Sequence, residues 1–350
     1  MTNFPMRIRT LVPPIVLLGA LLLGAGPAAA QSVRGRVVEP GTGQPVPGAV
    51  VMLLDAQGAR VTATLTDAHG GFAVQAGVPG TYSLRAERVG YAAASSPALS
   101  LAADQTAEQS LVMAPRQVML EPLLVTATER ECTIRPQAEA AVAWEELRKA
   151  LDAAAVAEQR RSHAFRKRYW NTERSLLQRR RISSQDWTSP DFSTEPFHAT
   201  PVERLAEHGY VEGGVRGDSL VFHAPDARTL LSDAFLDHHC FRLRERGRSV
   251  GLEFAPTADR TLPDVRGILW MDRRTARLRK LEYTYVNLPY VNPADALGGE
   301  LEFEQLPDGA WIVRRWVVRM PRLRITEDGR TYVPALVEQG GQVVDIRPNP

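Results

Sequence analysis

The 42 Lys and Arg of this 350-residue chain stand against 40 Asp and Glu, and a formal charge of +2 is too small to support non-specific nucleic-acid binding. The length admits two domains. Only Lys149, Lys167 and Lys280 are lysines, so the cations are nearly all Arg, a bias of composition rather than the mark of an anion site.

Residues 1–30 read as a secretory signal peptide. Arg7 and Arg9 form a positive start, Leu11 to Leu23 is an apolar run too short to cross a bilayer, and Ala28-Ala29-Ala30 offers a small-residue cleavage site. Cleavage after Ala30 removes both arginines and balances the remaining charge. No later apolar span follows, so no transmembrane segment is expected in the mature chain. Export leads to an oxidising compartment, where Cys132 and Cys240 are expected to form a disulfide; the alternative is two separate buried thiols.

From residue 31 to 116, short segments rich in Val, Leu and Thr alternate with turn residues, the pattern of an all-β sandwich. SVRGRVVE, GAVVMLLD, ARVTATLTD, GGFAVQ, GTYSLRAERVGY and QTAEQSLVMAP are the expected strands. Asp67 with Gly70-Gly71 suits a tight reversal, because Asp bonds to nearby amides and Gly accepts positive φ. Phe72, Val74, Tyr82 and Leu84 fall at period two and point inward, with Tyr82 beside Phe72 on a partner strand and its hydroxyl reaching backbone at the rim. Each special residue has a folding duty, so none is left over for chemistry. The motifs V-x-G-x-V at Val33 to Val37, G-x-P-V-P-G-A-x-V at Gly43 to Val51, T-D-x-x-G-x-F at Thr66 to Phe72 and G-x-Y-x-L at Gly80 to Leu84 resemble the carboxypeptidase regulatory-like domain. That resemblance implies a Greek-key, transthyretin-like sandwich of carbohydrate-binding-like fold. It also implies an accessory module of bacterial envelope proteins that is not itself catalytic.

Residues 117–137 read as an extended linker. LEPLLVTATER, Leu120 to Arg130, resembles the segment that joins such a module to the plug of TonB-dependent receptors. The resemblance implies an edge strand that adds to a partner's sheet, with Leu120, Leu123, Leu124, Val125 and Thr126 as the candidate partner-strand residues. The segments beyond Arg130 lack the long series of amphipathic strands a large membrane barrel requires, so neither transport nor a barrel is carried over.

Residues 138–350 read as an α+β domain: one main helix and a curved antiparallel sheet. Trp144, Leu147, Leu151, Ala154 and Ala155 make one helical stripe, with Glu145, Arg148, Lys149 and Asp152 on the other faces and Trp144 anchoring the helix to a sheet. SHAFRKRYWNTERSL then reverts to a strand. GILWMDRRTARLRKLEYTYV gives a hairpin that places Leu281, Tyr283 and Tyr285 on one face. A second hairpin turns at Pro307-Asp308-Gly309, with Ile312, Trp316, Val318 and Met320 expected on one side. This strand and turn rhythm is similar to the curved sheets with a packed helix of bacterial lipoprotein carriers; a hollow apolar side would hold an acyl chain, whereas a helix filling that side would only complete the core.

A search for catalytic patterns finds none. H-x-x-E, H-E-x-x-H and G-x-S-x-G are absent, and Ser219 in GDSL sits in what reads as a hairpin. Asp237, His238, His239 and Cys240 are the only dense group of metal-ligand types, with His223 a further, distant candidate; neighbours on a strand point to opposite faces unless the chain turns there, so no metal site and no cofactor are expected. The basic runs Arg166 to Arg168 and Arg179 to Arg181 read as solvated strand faces. The sequence thus points to a mainly β, non-enzymatic binding or adaptor protein of the periplasm or outer membrane, recognising a glycan or an envelope protein, with possible peripheral association with the outer membrane. A lipid or lipoprotein carrier and a hydrolase are the alternatives left open.

Overall fold

The computed structural model describes residues 31–116, 138–176, 178, 180–197, 200–213, 220–275, 277–288, 296–328 and 331–349. Two β units and one long helix make up the fold, which is mainly β. In the first unit, β1 (Gln31–Val38) lies between β4 (Gly71–Ala76), antiparallel to it, and β8 (Thr106–Val112), parallel to it. The facing sheet sets β2 (Val50–Leu54) between β3 (Arg60–Leu65) and β5 (Gly80–Glu87), with the short β6 (Ala94–Ser95) and β7 (Leu99–Leu101) on β5. Val33, Val37, Phe72, Val74, Leu84 and Leu111 fill the space between the sheets.

The turn chemistry legible in the sequence is present. Asp67 Oδ1 accepts from the His69 and Gly71 amides, both at 2.8 Å, and Gly70 takes φ 72°. The Tyr82 hydroxyl donates to Val78 O at 2.7 Å. One pairing differs from expectation: β4 pairs with β1 and β5 with β2, so Phe72 and Tyr82 belong to opposite sheets rather than to paired strands. The segment Gly77-Val78-Pro79 carries the chain across the sandwich, and the two rings share its interior.

The second unit is a nine-stranded sheet, antiparallel throughout. Its strands are β9 (His163–Ser175), β10 (Arg181–Thr188), β13 (His239–Arg246), β14 (Ser249–Pro256), β15 (Asp264–Asp272), β16 (Leu278–Val286), β17 (Gly298–Gln305), β18 (Trp311–Ile325) and β19 (Thr331–Pro348). β13 to β19 follow one another as a meander; β9 then pairs with β19, and β10 with β9. Between β10 and β13 run α2 (Val202–His208), the hairpin β11 (Val211–Glu212) and β12 (Val221–Phe222), α3 (Ala227–Leu231) and α4 (Asp233–His238). Leu252, Phe254, Leu269, Leu281, Tyr283 and Tyr285 point from the sheet into the core under the helices. A register shift at Glu302/Phe303 corrects the expected phase of β18: Trp316 pairs with Leu301 but Ile312 with Glu304, so Ile312 leaves the side of Trp316 and joins a separate cluster with Phe165, Leu306 and Val343.

α1 (Ala138–Arg160) lies between the two units. Leu147, Leu151 and Ala154 are buried, and the Trp144 ring sits 5.6 Å from that of Phe241 on β13, the anchoring role its position suggested. Much of the polar flank is covered, however: while Glu145 stays in solvent, Lys149 is 6% and Asp152 7% exposed. The reason is that the β2–β3–β5 sheet covers it. Asp152 pairs with Arg60 at 2.6 Å, Arg148 with Glu87 at 2.6 Å, and Lys149 with Glu146 at 2.7 Å while also donating to Tyr91 O. Val50 and Met52 of the sandwich enter the same hydrophobic cluster as Leu147, Phe254 and Leu281. Gly48 and Gly309 meet backbone to backbone; a Cβ on Gly48 would lie 2.4 Å from Gly309 Cα. Gly90 accepts from the Arg116 amide through its carbonyl and donates its own amide to Glu146 Oε2, both at 2.8 Å.

Candidate functional site

Leu120, Leu123, Leu124, Val125, Thr126 and Cys132 lie outside the described residues, as do Arg179 and Ser219. Cys240 is described: it is buried on β13, on the face of the sheet opposite His239 and Phe241, with its sulfur 3.3 Å from Ala255 O. No disulfide joins two described residues.

The Asp237-to-Cys240 group is dispersed by geometry. Asp237 and His238 close α4, and His239 opens β13 facing inward. His239 Nδ1 is 2.9 Å from Phe235 O, while its Nε2 is 3.2 Å from both Val265 O and Asp264 Oδ1. Arg260 completes this buried cluster through Asp264 Oδ2 at 2.8 Å, and also donates to the carbonyls of Leu205 and Ala206. Burial pushes the Asp264 carboxyl up, but His239, Arg260 and the Val265 amide together outweigh burial and hold it below the ordinary carboxylate range. The cluster therefore fastens α2 and α4 to β15. Among the described residues no three His, Cys, Asp or Glu side chains converge as metal ligands would.

A second polar line passes through His223, whose Nδ1 is 2.7 Å from Thr200 Oγ1 and whose Nε2 is 3.2 Å from Glu212 Oε1, though not aligned for a hydrogen bond. Glu212 is clamped by both ends of the Arg204 guanidinium, at 2.8 and 2.7 Å, and is held down to about 2 chiefly by that contact. The hydroxyl, imidazole and carboxylate succeed one another as in a hydrolytic triad. Yet neither cavity described next is lined by Thr200 or His223.

On the helix-bearing face, a cleft between Ala154 and Ala157 of α1, Phe197 and Trp311 holds only about 30 Å³. Small-molecule sites are on the order of 300–1,000 Å³, so this cleft is too small to be one. The opposite face carries a trough of about 410 Å³ across β14 to β18. Alternation explains its make-up: Lys280, Glu282 and Thr284 point away from the core that holds Leu281, Tyr283 and Tyr285. Thr284 and Gly298 are cross-strand partners and keep the floor low, while Glu282, Glu300, Ile268 and Arg319 stand around it. A Cβ on Gly298 would meet Tyr283 O at 2.0 Å, so the floor admits no side chain there.

The trough is bordered by an ion ladder. Lys280 bridges Glu282 at 3.0 Å and Glu300 at 2.7 Å, Arg315 contacts Glu300 and Glu302, and Arg319 lies 3.4 Å from Glu338. Burial raises the Glu300 carboxyl, but Lys280 and Arg315 outweigh that and its titration is shifted down. The Trp270 indole N–H donates to Glu282 at 2.9 Å. Sequence reading missed this site. Its one signal, alternate charged residues on β16 and β17, is also what any half-wet strand shows.

Residues 32–114 match the family described as carboxypeptidase regulatory-like domain. No curated relative matches the chain. Similar solved structures include the pilus 2b backbone protein of group B streptococcus, 15% identical over 24% of this chain and 41% of that chain with a TM-score of 0.21. Another is the 5-hydroxyisourate hydrolase of Klebsiella pneumoniae, 18% identical over 25% of this chain and 86% of that chain, TM-score 0.20. A third is a DUF1329 family protein from Desulfovibrio piger, 10% identical over 58% of this chain and 93% of that chain, TM-score 0.26. The match spans less than half the length of the pilus protein. Motif order, turn chemistry and the two-sheet core agree with the family match: residues 32–114 are a carboxypeptidase regulatory-like domain.

Proposed function

We propose that this protein is a non-enzymatic binding or adaptor protein of the bacterial envelope, exported by cleavage after Ala30 and held in the periplasm or at the outer membrane, where it recognises a glycan or a protein partner. The observation that carries this reading is how the residues of the domain's signature are used. Asp67, Gly70, Gly71 and Tyr82 spend their bonding capacity on local backbone, and Thr66 Oγ1 donates to Val46 O at 2.6 Å while accepting from the Ala49 amide. Such a module serves as a rigid mount. The small cleft under the helices favours this reading over an acyl-chain carrier.

The partner-binding element in this proposal is the segment Leu120 to Thr128, acting as a strand added to another sheet. The test is a pull-down from a solubilised envelope fraction with the full chain and with that segment replaced by a Gly/Ser sequence of equal length. Loss of the captured partner is expected; undiminished capture would refute the adaptor reading. We further propose that Cys132 and Cys240 are bridged in the exported protein. Thiol titration under denaturing conditions should find no free thiol before reduction and two after it. In the chain-entropy model, closing a loop of roughly 100 residues contributes about 4–5 kcal/mol.

A further inference from the structure

The trough across β14 to β18 has the size of a ligand site, and its electrostatics narrow the class of ligand. Glu282 and Glu300 share Lys280, Glu300 also meets Arg315, and Arg319 sits between Glu338 at 3.4 Å and Glu300 at 3.9 Å. Each of these charges is thus compensated by a neighbour, and an ionic ligand gains little from them. The carboxylate and guanidinium edges stay fixed in place, however, as acceptors and donors on a sheet that cannot rearrange cheaply. That is a preorganised surface for many hydrogen bonds to an uncharged ligand. Half-buried Ile268 beside Glu282 supplies an apolar contact of the kind the C–H face of a pyranose uses. The low floor at Thr284 and Gly298 lets a flat ring approach the strands.

We propose that this trough binds a neutral oligosaccharide. The inference rests on the reading of the protein as an envelope glycan binder, and places glycan recognition on the outer face of the second sheet.

The test is isothermal titration of the full mature chain with cellohexaose, maltohexaose and N-acetylchitohexaose, with a heparin hexasaccharide as the anionic comparison. At least one neutral sugar is expected to bind, with an affinity that changes less than twofold between 50 and 500 mM NaCl. Thr284→Leu, which raises the floor, and Glu282→Gln, which keeps the shape but alters the acceptor, should each weaken binding tenfold or more. Circular dichroism and thermal midpoint serve as controls for folding. Because Glu282→Gln is nearly isosteric, it decides the matter should Thr284→Leu fail to fold. Sugar binding untouched by Glu282→Gln would overturn the trough as the site and leave the glycan reading standing. No binding of any neutral sugar, or binding of heparin alone that salt abolishes, would overturn both.

Discussion

Asp264 is fully buried and takes contacts from His239, Arg260 and the Val265 amide at once. Replacing it by Asn leaves the Arg260 guanidinium without its buried countercharge, and breaking a buried ion pair in this way costs about 3–5 kcal/mol. A urea titration of Asp264→Asn should show that loss as a lower midpoint; an unchanged midpoint would mean the cluster is not holding the helices. The pH dependence has a defined sign. Because the folded carboxyl titrates below its unfolded value of about 3.9, its contribution is present above that pH and lost as the solution is acidified through the lower folded value. Asp264→Asn should therefore flatten the acid limb of the stability curve. Whereas His238 closes α4 and only His239 lies on β13, sequence alone reads the two as strand neighbours facing opposite ways. It does not show Asp264, because the end of β15 reaches His239 only through the packing of α4 and β13, not through any local spacing.

Three tryptophans of the large sheet lie opposite glycines on the neighbouring strand: Trp170 opposite Gly340, Trp270 opposite Gly251 and Trp316 opposite Gly341. Each indole covers the bare backbone of its partner; a Cβ on Gly340 would come 2.2 Å from Trp170 Cζ2 and one on Gly341 2.1 Å from Trp316 Cζ2. Such cross-strand coverage stabilises a position where glycine is otherwise weak. Gly340→Val should displace the Trp170 ring and cost roughly 1–3 kcal/mol by overpacking. Adding Trp170→Ala should then be less damaging than the sum of the two single changes, a coupling that a double-mutant cycle of thermal midpoints would measure. Strictly additive effects would mean that ring and glycine act independently. The main helix and the hairpins were legible because their signals are local: a stripe on α1, a turn at Pro307-Asp308-Gly309, alternation on β16. The pairing of Trp170 with Gly340 was not, since β9 and β19 are far apart in the chain and nothing in either names the other as partner.

At the scale of the whole molecule, the carboxypeptidase regulatory-like domain is not tethered beside the second unit but shares its hydrophobic cluster across α1. Calorimetry of the mature chain should therefore record one cooperative transition, and Gly309→Val, which drives a side chain into Gly48, should lower it or split it in two. Two resolved transitions in the unaltered protein would show that the shared cluster does not couple the units. The sequence signalled both units but not their docking, because Lys149 and Asp152 look like solvent-facing charges until Tyr91 and Arg60 are placed against them. Gly90 concentrates one effect of that docking, since its carbonyl holds Arg116 and its amide holds Glu146. A partner tugging on the stretch from 117 to 137 would load two moorings that lie one peptide apart. The force would return to a single junction of the body, instead of prising the front half from the back.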